Sequence, residues 1–189
     1  LHRGELLQPT DLPILYTAYS PCFRREAGAA GADTRGLLRV HQFDKVELVR
    51  YVTPENTLEA LEEITGEAEV VLDALGLTYR VLRLAGGDLG FSAEMTYDIE
   101  VWSPGVEQWL EVSSCSSFSD FQARRANLRF RSGENQKPRF VHTLNGSAVA
   151  LPRLLVSLLE TYQKADGTIE VPEAIRKATE AAKRKMIRV

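Results

Sequence analysis

Hydrophobic and polar positions follow two periodicities along this chain, and each predicts a different kind of element. Apolar and polar residues alternate through 95–102 and again through 108–113, which is typical of strands with one buried face. Strand-forming residues also fill 12–19 and 37–51, and the small-residue stretch 27–36 lies between them. Two extended runs around a glycine-containing connection predict a long antiparallel hairpin with a mobile tip.

Two segments instead show the three-and-four spacing of helices. The first begins at Thr53-Pro54-Glu55, which offers a hydroxyl N-cap, a proline at the first helical position and an acid favoured by the helix dipole, and it ends before Gly76. The second covers about 148–163, where Pro152 predicts a local distortion or a late start. The apolar stripes are Leu58, Leu61, Ile64, Ala68, Val71 and Leu75 in the first helix, and Leu151, Leu154, Leu155, Leu158, Leu159 and Tyr162 in the second.

The remaining elements complete an α+β pattern. Strands are predicted at 79–84 and 140–144, and a short basic helix at 122–127. Because strands follow one another through hairpins without regular β-α-β alternation, we expect one domain with a mainly antiparallel β-sheet flanked by helices. Alternation along 108–113 would place Trp109, Glu111 and Ser113 on one face, and polar groups sharing a face with a large apolar one suggest the wall of a site.

Composition narrows the class of protein without naming a function. A chain of 189 residues with 44% hydrophobic and 26% charged residues is ordinary for one globular domain. The absence of a long apolar run predicts no membrane partner and a cytoplasmic location. Cys22 and Cys115 belong to no C-x-x-C pair, so we expect both to be buried small hydrophobes. The net charge of −3 requires any RNA-binding role to rest on a local basic surface.

Candidate chemistry concentrates in the predicted hairpin. Arg24 and Glu26 precede its tip, and Arg39, Phe43 and Glu47 follow it. Such a hairpin places cations, an aromatic face and carboxylates on one surface, which suits a nucleotide's phosphates, base and amine. The alternative is a surface hairpin whose charges pair with one another across the strands.

These residues also carry a family resemblance. The segment YSPCFRREAGAAGADTRGLLRVHQFDKVE resembles motif 2 of class II aminoacyl-tRNA synthetases, in about 20–51, and is most similar to the seryl-tRNA synthetase family. EVSSCS followed by DFQARRAN resembles a second segment of that family, and LNGSA through Arg153 resembles its motif 3, in about 143–163. The resemblance covers nearly the whole chain and implies an incomplete class II catalytic fold over residues 1–189, with the N-terminal tRNA-binding arm and motif 1 absent.

The resemblance implies an activity and its partners. A seryl-tRNA synthetase is a serine–tRNA ligase: it activates L-serine with ATP and Mg²⁺ and transfers it to serine tRNA, and also to selenocysteine tRNA. At full length it is expected to be a homodimer in the cytoplasm. Two alternatives remain: a truncated paralog that loads an amino acid on a carrier protein, and a non-catalytic nucleotide-binding module.

The resemblance also implies residue roles at the nucleotide. Arg24 and Arg153 are the catalytic residues, with Arg24 at the α-phosphate, where charge builds during attack. Glu26 accepts a hydrogen bond from the adenine amine, and Phe43 stacks on the base, with Arg153 over its other face or at the γ-phosphate. The full ATP-binding set is Arg24, Arg25, Glu26, Arg39, Val40, Phe43, Glu111, Val112, Ser113, Ser114 and Arg153.

Metal and amino acid roles follow in the same way. Glu111 and Ser114 would hold Mg²⁺ as hard oxygen ligands. Glu47, Ser147 and Asn145 would bind serine. A further group, Arg124, Arg125 and Arg129, either contacts tRNA phosphates or pairs with acids such as Asp98 and Glu100.

Overall fold

A computed structural model describes residues 1–25, 36–133 and 136–186 and contains nine strands in these ranges. Six form one antiparallel sheet in the order β2-β3-β9-β6-β5-β4, and three short ones form a second sheet in the order β1-β7-β8. The strands are β1 (Leu6–Leu7), β2 (Ile14–Phe23), β3 (Gln42–Val52), β4 (Tyr79–Arg83), β5 (Met95–Ser103), β6 (Gln108–Ser117), β7 (Arg129–Phe130), β8 (Arg139–Phe140) and β9 (His142–Ala150).

Four α-helices accompany the sheets: α1 (Thr57–Ala74), α2 (Phe121–Ala126), α3 (Leu151–Thr161) and α4 (Glu173–Met186). Short 3-10 turns lie at Pro9–Asp11, Gly36–Leu38 and Pro54–Asn56. None of the helices in the described ranges is both long enough and apolar enough to span a bilayer. The predicted α+β class, with an antiparallel sheet and flanking helices, is confirmed.

The two faces of the main sheet have different surroundings. Helices α1 and α3 pack on one face, where Leu61 and Ile64 of α1 meet Ile99 and Cys115 of the strands in the larger core. The opposite face carries a smaller apolar cluster at one end, around Tyr51 and the short helix α2. We call this second face the open face. Because α1 and α3 close the other side, a ligand can approach the central strands only from the open face.

The predicted hairpin is confirmed, with changed bounds. Strands β2 and β3 pair antiparallel from Ile14 opposite Tyr51 to Phe23 opposite Gln42. Strand β2 extends beyond the predicted 12–19 and continues through Pro21. A proline is tolerated there because β2 is the edge of the sheet, so its missing N–H removes no ladder bond. The predicted mobile tip at 27–36 lies, except for Gly36, outside the described residues.

The helix predictions hold with three corrections. Gly76 follows α1 with a φ of 64°, the left-handed conformation expected of a glycine after a helix C-cap. Pro54 starts a 3-10 turn, and α1 proper begins at Thr57. Leu58 is 65% exposed, so its place in the buried stripe was predicted wrongly. In the second helix Pro152 marks a late start, and the predicted stripe is only half buried: Leu154 and Leu158 are buried, whereas Leu151, Leu155 and Leu159 are exposed.

A bulge in β6 corrects another expectation. Glu111 lies opposite Glu100, but Ser113 lies opposite Ile99, so Val112 is an extra residue in the ladder. Past this point the alternation is reversed, and Ser113 is on the core-facing side with fully buried Ile99. Ser113 and Glu111 therefore do not share a face as the simple alternation predicted, and Ser114 takes the open-face position instead.

Strands β6 and β9 pair side by side, and where Gly146 lies opposite Cys115 there is no room for a side chain on the glycine. A Cβ there would lie 2.6 Å from Cys115 Sγ, which is itself completely buried. We expect Gly146→Ala to lower the free energy of unfolding by about 2 kcal/mol, the cost of overpacking a closed core. Thermal or urea denaturation measures the change.

Gly66→Ala is the matched control for that substitution. Gly66 lies inside α1 with no heavy atom within 4 Å of a built Cβ, so alanine should stabilise the protein by up to about 1 kcal/mol through helix propensity. Adding Cys115→Ala to Gly146→Ala should recover part of the loss. Equal effects of the two glycine substitutions would contradict this account of the packing.

Candidate active site

One pocket on the open face gathers residues that lie far apart in sequence. It is bounded by the end of β2, the turn Gly36–Leu38, β3, the bulged part of β6, and the start of α3. Of the sequence-predicted site residues, those that line this pocket are Arg24, Arg39, Val40, Phe43, Glu111, Val112, Ser113, Ser114, Ser147 and Arg153. The two arginines that the resemblance implies to be catalytic therefore face the same space as Glu111 and Ser114, which it implies to be metal ligands.

The hairpin presents Arg24 and Phe43 together. The Arg24 guanidinium carbon lies 5.0 Å from the centre of the Phe43 ring, within cation–π range. The backbone N–H of Arg24 donates to the carbonyl of His41 at 2.8 Å. This hydrogen bond joins the two arms of the hairpin directly beside these side chains. A ring and a guanidinium held side by side offer a stacking surface and an anion-binding group at one end of the pocket.

Arg153 links three elements at the other wall. Its Nε donates to the carbonyl oxygen of Leu38 at 3.1 Å, and one terminal nitrogen donates to the carbonyl oxygen of Glu111 at 3.0 Å. A guanidinium has about five N–H donors, so these two bonds orient the group and leave further donors for an anion. Arg153 reaches this position because α3 begins only after Ala150, at the pocket rim.

Carboxylates of β5 and β6 lie next to one another on the open face, and Glu111 among them lines the pocket. Burial raises the pKa of Glu111 above its ordinary value, and nearby Asp98 raises it further, whereas Arg153 and Arg24 lower it. Burial also raises the pKa of Asp98, against the effect of a hydrogen bond from Ser114. Oxygen Oδ1 of Asp98 is buried and has no hydrogen-bond partner among the described residues. This negative, incompletely satisfied group of oxygens is suited to a cation.

The bulge at Val112 makes this arrangement possible. Residues 111 and 114 are three apart, and on a regular strand they would point to opposite faces. With the extra residue between them, Glu111 lies opposite Glu100 and Ser114 lies opposite Asp98, so all four share the open face. Bulges are frequent beside functional sites because they redirect a side chain in this way.

The predicted serine-binding residues form a separate polar group next to the pocket. Ser147 Oγ donates to Glu47 Oε2 at 3.3 Å, and Lys45 Nζ lies 2.7 Å from the same carboxylate oxygen. Asn145 precedes Ser147 by two residues on β9 and shares its face. Ser147 and Lys45 line the pocket, whereas Glu47 and Asn145 do not.

Several other expectations have different outcomes. Arg25 does not line the pocket, and Glu26 lies outside the described residues. For Arg124, Arg125 and Arg129, the alternative of pairing with Asp98 or Glu100 does not occur among the described residues: Arg124 pairs with Asp120 at 2.6 Å, and Glu100 pairs with Arg80 at 2.6 Å. Cys115 is buried as expected, but Cys22 is only partly so.

Sequence reasoning missed Asp98 and Lys45 as site residues. The signal for Asp98 was present, since alternation along 95–102 sets Thr96, Asp98 and Glu100 on one face. No sequence feature distinguished that face from an ordinary solvated one until the pairing with β6 placed it against Glu111.

Comparison with known proteins points in one direction. Residues 1–162 match the family described as the tRNA synthetase class II core domain (G, H, P, S and T). A serine–tRNA ligase of Gemmatimonas aurantiaca is 62% identical over 93% of this chain, and one of Trichlorobacter lovleyi is 61% identical over the same share. The chain spans 41% and 42% of the lengths of these two relatives.

Solved structures show the same similarity in three dimensions. Seryl-tRNA synthetase from Pyrococcus horikoshii, complexed with ATP, superposes with a TM-score of 0.89 at 49% identity and covers 93% of this chain and 39% of its own. A cytoplasmic serine–tRNA ligase from Naegleria fowleri, in complex with AMP, gives a TM-score of 0.87 at 35% identity, covering 93% of this chain and 42% of its own.

Proposed function

The chain belongs to the class II tRNA synthetase core-domain family, and from that premise we propose that a complete protein containing it is a serine–tRNA ligase. Residues 1–189 are then part of its catalytic domain. The observation that carries the proposal is the convergence of Arg24, Phe43, Glu111 and Arg153 on one pocket. The names of the relatives supply the amino acid, and the ATP and AMP complexes of the structural neighbours support a nucleotide in this space.

In the first reaction the carboxylate of L-serine attacks the α-phosphorus of ATP. The phosphorus–oxygen bond to pyrophosphate breaks, and seryl-adenylate forms. No protein nucleophile is required, so the pocket acts by positioning the reactants and neutralising charge. Arg24 binds the α-phosphate oxygens, where negative charge grows, while Phe43 stacks on the adenine and Arg153 binds the outer phosphates.

The pocket floor fits a magnesium ion. Glu111 and Ser114 would hold it, and Asp98, with its buried unpartnered oxygen, adds a third hard donor group beside them. The described residues contain no cluster of three or more His, Cys, Asp or Glu side chains able to enclose a metal. Few protein ligands are typical of Mg²⁺ sites that are completed by water and substrate phosphates. When bound there, the ion would neutralise charge on the triphosphate.

Serine is placed by the polar group next to the pocket. Glu47 suits its ammonium group, and Ser147 and Asn145 suit its hydroxyl. Glu47 already accepts one hydrogen bond from Ser147 and lies 2.7 Å from Lys45, and both of these partners line the pocket. In the second reaction the terminal hydroxyl of serine tRNA, or of selenocysteine tRNA, attacks the adenylate and releases AMP.

A homodimer in the cytoplasm completes the proposal. Strand β2 is a ten-residue sheet edge, and Leu15, Tyr19 and Phe23 on it are 57%, 65% and 71% exposed. An exposed apolar edge of this length favours coverage by further chain or by a second subunit. Light scattering of the complete protein measures the subunit number.

Serine-dependent exchange of pyrophosphate into ATP tests the proposed activity. The complete protein should catalyse the exchange with serine and much more slowly with threonine or alanine, and it should then aminoacylate serine tRNA. Exchange without transfer to tRNA would favour a carrier-loading paralog, and a folded protein with no exchange would reject the proposal.

Replacing Asp98 with asparagine should make the protein more stable without Mg²⁺ but weaken its binding of Mg²⁺. Because burial raises the pKa of Asp98, the folded state holds the proton more tightly than the unfolded chain does. Stability therefore falls as pH rises from the ordinary carboxyl pKa through the raised one, and asparagine avoids that loss. Without Mg²⁺ at neutral pH, Asp98→Asn should stabilise the protein by about 1 kcal/mol.

The same substitution should raise the Mg²⁺ concentration for half-maximal exchange about tenfold. Magnesium titrations and thermal denaturation of the wild type, Asp98→Asn and the exposed control Asp88→Asn measure both effects. A destabilised Asp98→Asn variant with an unchanged magnesium requirement would assign Asp98 to the fold alone.

A further inference from the structure

A second aromatic and basic surface lies beside α2, outside the candidate pocket. It is formed mainly by Phe91, Phe121, Arg125 and Arg3, and we call it the α2 surface. Phe91 is 91% exposed, which is exceptional for a phenylalanine, and its ring meets Phe121 edge-on at 5.7 Å and 81°. A large ring held out to solvent by a second ring presents a flat apolar surface that no residue of the described ranges covers.

Positive charge surrounds these rings. The Arg125 guanidinium lies 5.7 Å from the centre of the Phe121 ring, and neither Arg125 nor Arg3 has a carboxylate partner among the residues that the structure describes. Two acids lie on the same loop as Phe91: Asp88, which is exposed, and Glu94, which accepts a hydrogen bond from Ser119 Oγ at 2.5 Å. Cations interleaved with aromatic rings, in a chain of net charge −3, define the local basic surface that RNA binding requires.

The α2 surface is connected to the candidate site through the sheet. Backbone N–H of Glu94 donates to the carbonyl of Ser117 at 2.8 Å, and Met95, opposite Ser117, is three residues before Asp98. At about 3.3 Å per residue, the end of the loop lies about 10 Å from Asp98. On the other side, Gln122 of α2 accepts a hydrogen bond from Thr143 at 2.8 Å, two residues before Asn145.

We infer that the α2 surface binds the unpaired 3′ end of the tRNA as it enters the site. This inference rests on the proposed function and adds the place where the RNA docks. An unpaired base can stack on the exposed face of Phe91, which a base inside a duplex cannot do, and Arg125 and Arg3 bind the adjacent phosphates. The terminal hydroxyl has to reach the adenylate, so single-stranded RNA is the occupant that matches both the chemistry and the position.

Two substitutions test the inference in the complete protein: Phe91→Ala removes the stacking ring, and Arg125→Gln removes a phosphate contact. Each should raise the KM for serine tRNA in aminoacylation about tenfold, the scale of one lost base stack. Serine-dependent ATP–pyrophosphate exchange, which needs no tRNA, should stay within about twofold of wild type. Arg125→Gln should also reduce the dependence of tRNA affinity on salt.

Controls come from the opposite face of the sheet. Leu58→Ala on α1 removes an apolar side chain that is 65% exposed, and Arg83→Gln removes an exposed cation on β4. Both should leave the KM for tRNA and the exchange rate unchanged. A tRNA shortened by its unpaired 3′ nucleotides gives a second comparison, since Phe91→Ala should weaken binding of intact tRNA but not of the shortened one.

The possible outcomes separate this inference from the proposed function. An active exchange reaction with an unchanged KM for tRNA in both variants would overturn the inference and leave the proposed function standing. Equal weakening toward intact and shortened tRNA would assign the surface to another part of the RNA, and loss of exchange in the variants would assign it to the nucleotide site; either result overturns the inference. A wild-type protein with no serine-dependent exchange would reject the proposed function itself.

Discussion

Replacing Arg24 with alanine is expected to slow serine-dependent adenylate formation by about a hundredfold or more, the effect of losing one positioned oxyanion donor. Arg24 extends from the end of β2 into the pocket, with its guanidinium carbon 5.0 Å from the centre of the Phe43 ring. The charge on the α-phosphate increases in the transition state, so the loss should appear mainly in the maximal exchange rate. Steady-state exchange kinetics measure it.

Arg83→Ala is the matched control for this prediction, because Arg83 is an exposed arginine on the opposite face of the sheet. It should exchange at the wild-type rate. Arg24→Lys should recover only a small part of the loss, since an ammonium group cannot bind two phosphate oxygens with a planar fork. A folded Arg24→Ala protein with an unchanged rate would show that the hairpin has been assigned the wrong role.

Glu111→Gln should reduce exchange by about a thousandfold, because a metal ion contributes several kcal/mol of charge stabilisation and glutamine is a much poorer ligand for it. The substitution keeps the shape of the side chain and removes only its charge. Glu59→Gln, an exposed glutamate on α1, is the control and should have no effect.

The pH dependence supplies a second readout for Glu111. Only the ionised carboxylate binds Mg²⁺ well, and burial raises the pKa of Glu111. As pH falls through this raised pKa, the magnesium concentration that the wild type needs for half-maximal exchange should rise. This rise should begin at a higher pH than it would for a carboxylate with an ordinary pKa. Magnesium titrations at several pH values should show this trend in the wild type and a weaker one in Glu111→Gln; identical trends would contradict the assignment.

Much of the fold was predictable because local signals agreed with the tertiary structure. The α1 helix combines an apolar stripe with a terminal glycine, and its stripe residues Leu61 and Ile64 are completely buried. The exceptions, Leu58 and the outer leucines of α3, arise because periodicity identifies an apolar face but not how much of it another element covers. The extension of β2 past Pro21 could not be predicted from the sequence, because only the sheet order shows that β2 is an edge strand.

The candidate site was predictable in its residues but less so in its geometry. Motif resemblance identified Arg24, Glu111 and Arg153, which the structure brings to one pocket. It did not reveal that Glu111 and Ser114 share a face, because that depends on an extra residue in a ladder formed with a distant strand. Asp98 was missed for the same reason: its unsatisfied oxygen exists only after β5 and β6 have paired.

A crystal structure of the complete protein with Mg²⁺ and a non-hydrolysable ATP analogue tests the central claim most directly. In that structure adenine should stack on Phe43, an α-phosphate oxygen should lie within hydrogen-bond distance of Arg24, and Glu111 and Ser114 should hold the metal. A nucleotide bound away from this pocket, or bound in it with Arg24 and Glu111 turned away from the phosphates, would contradict the account.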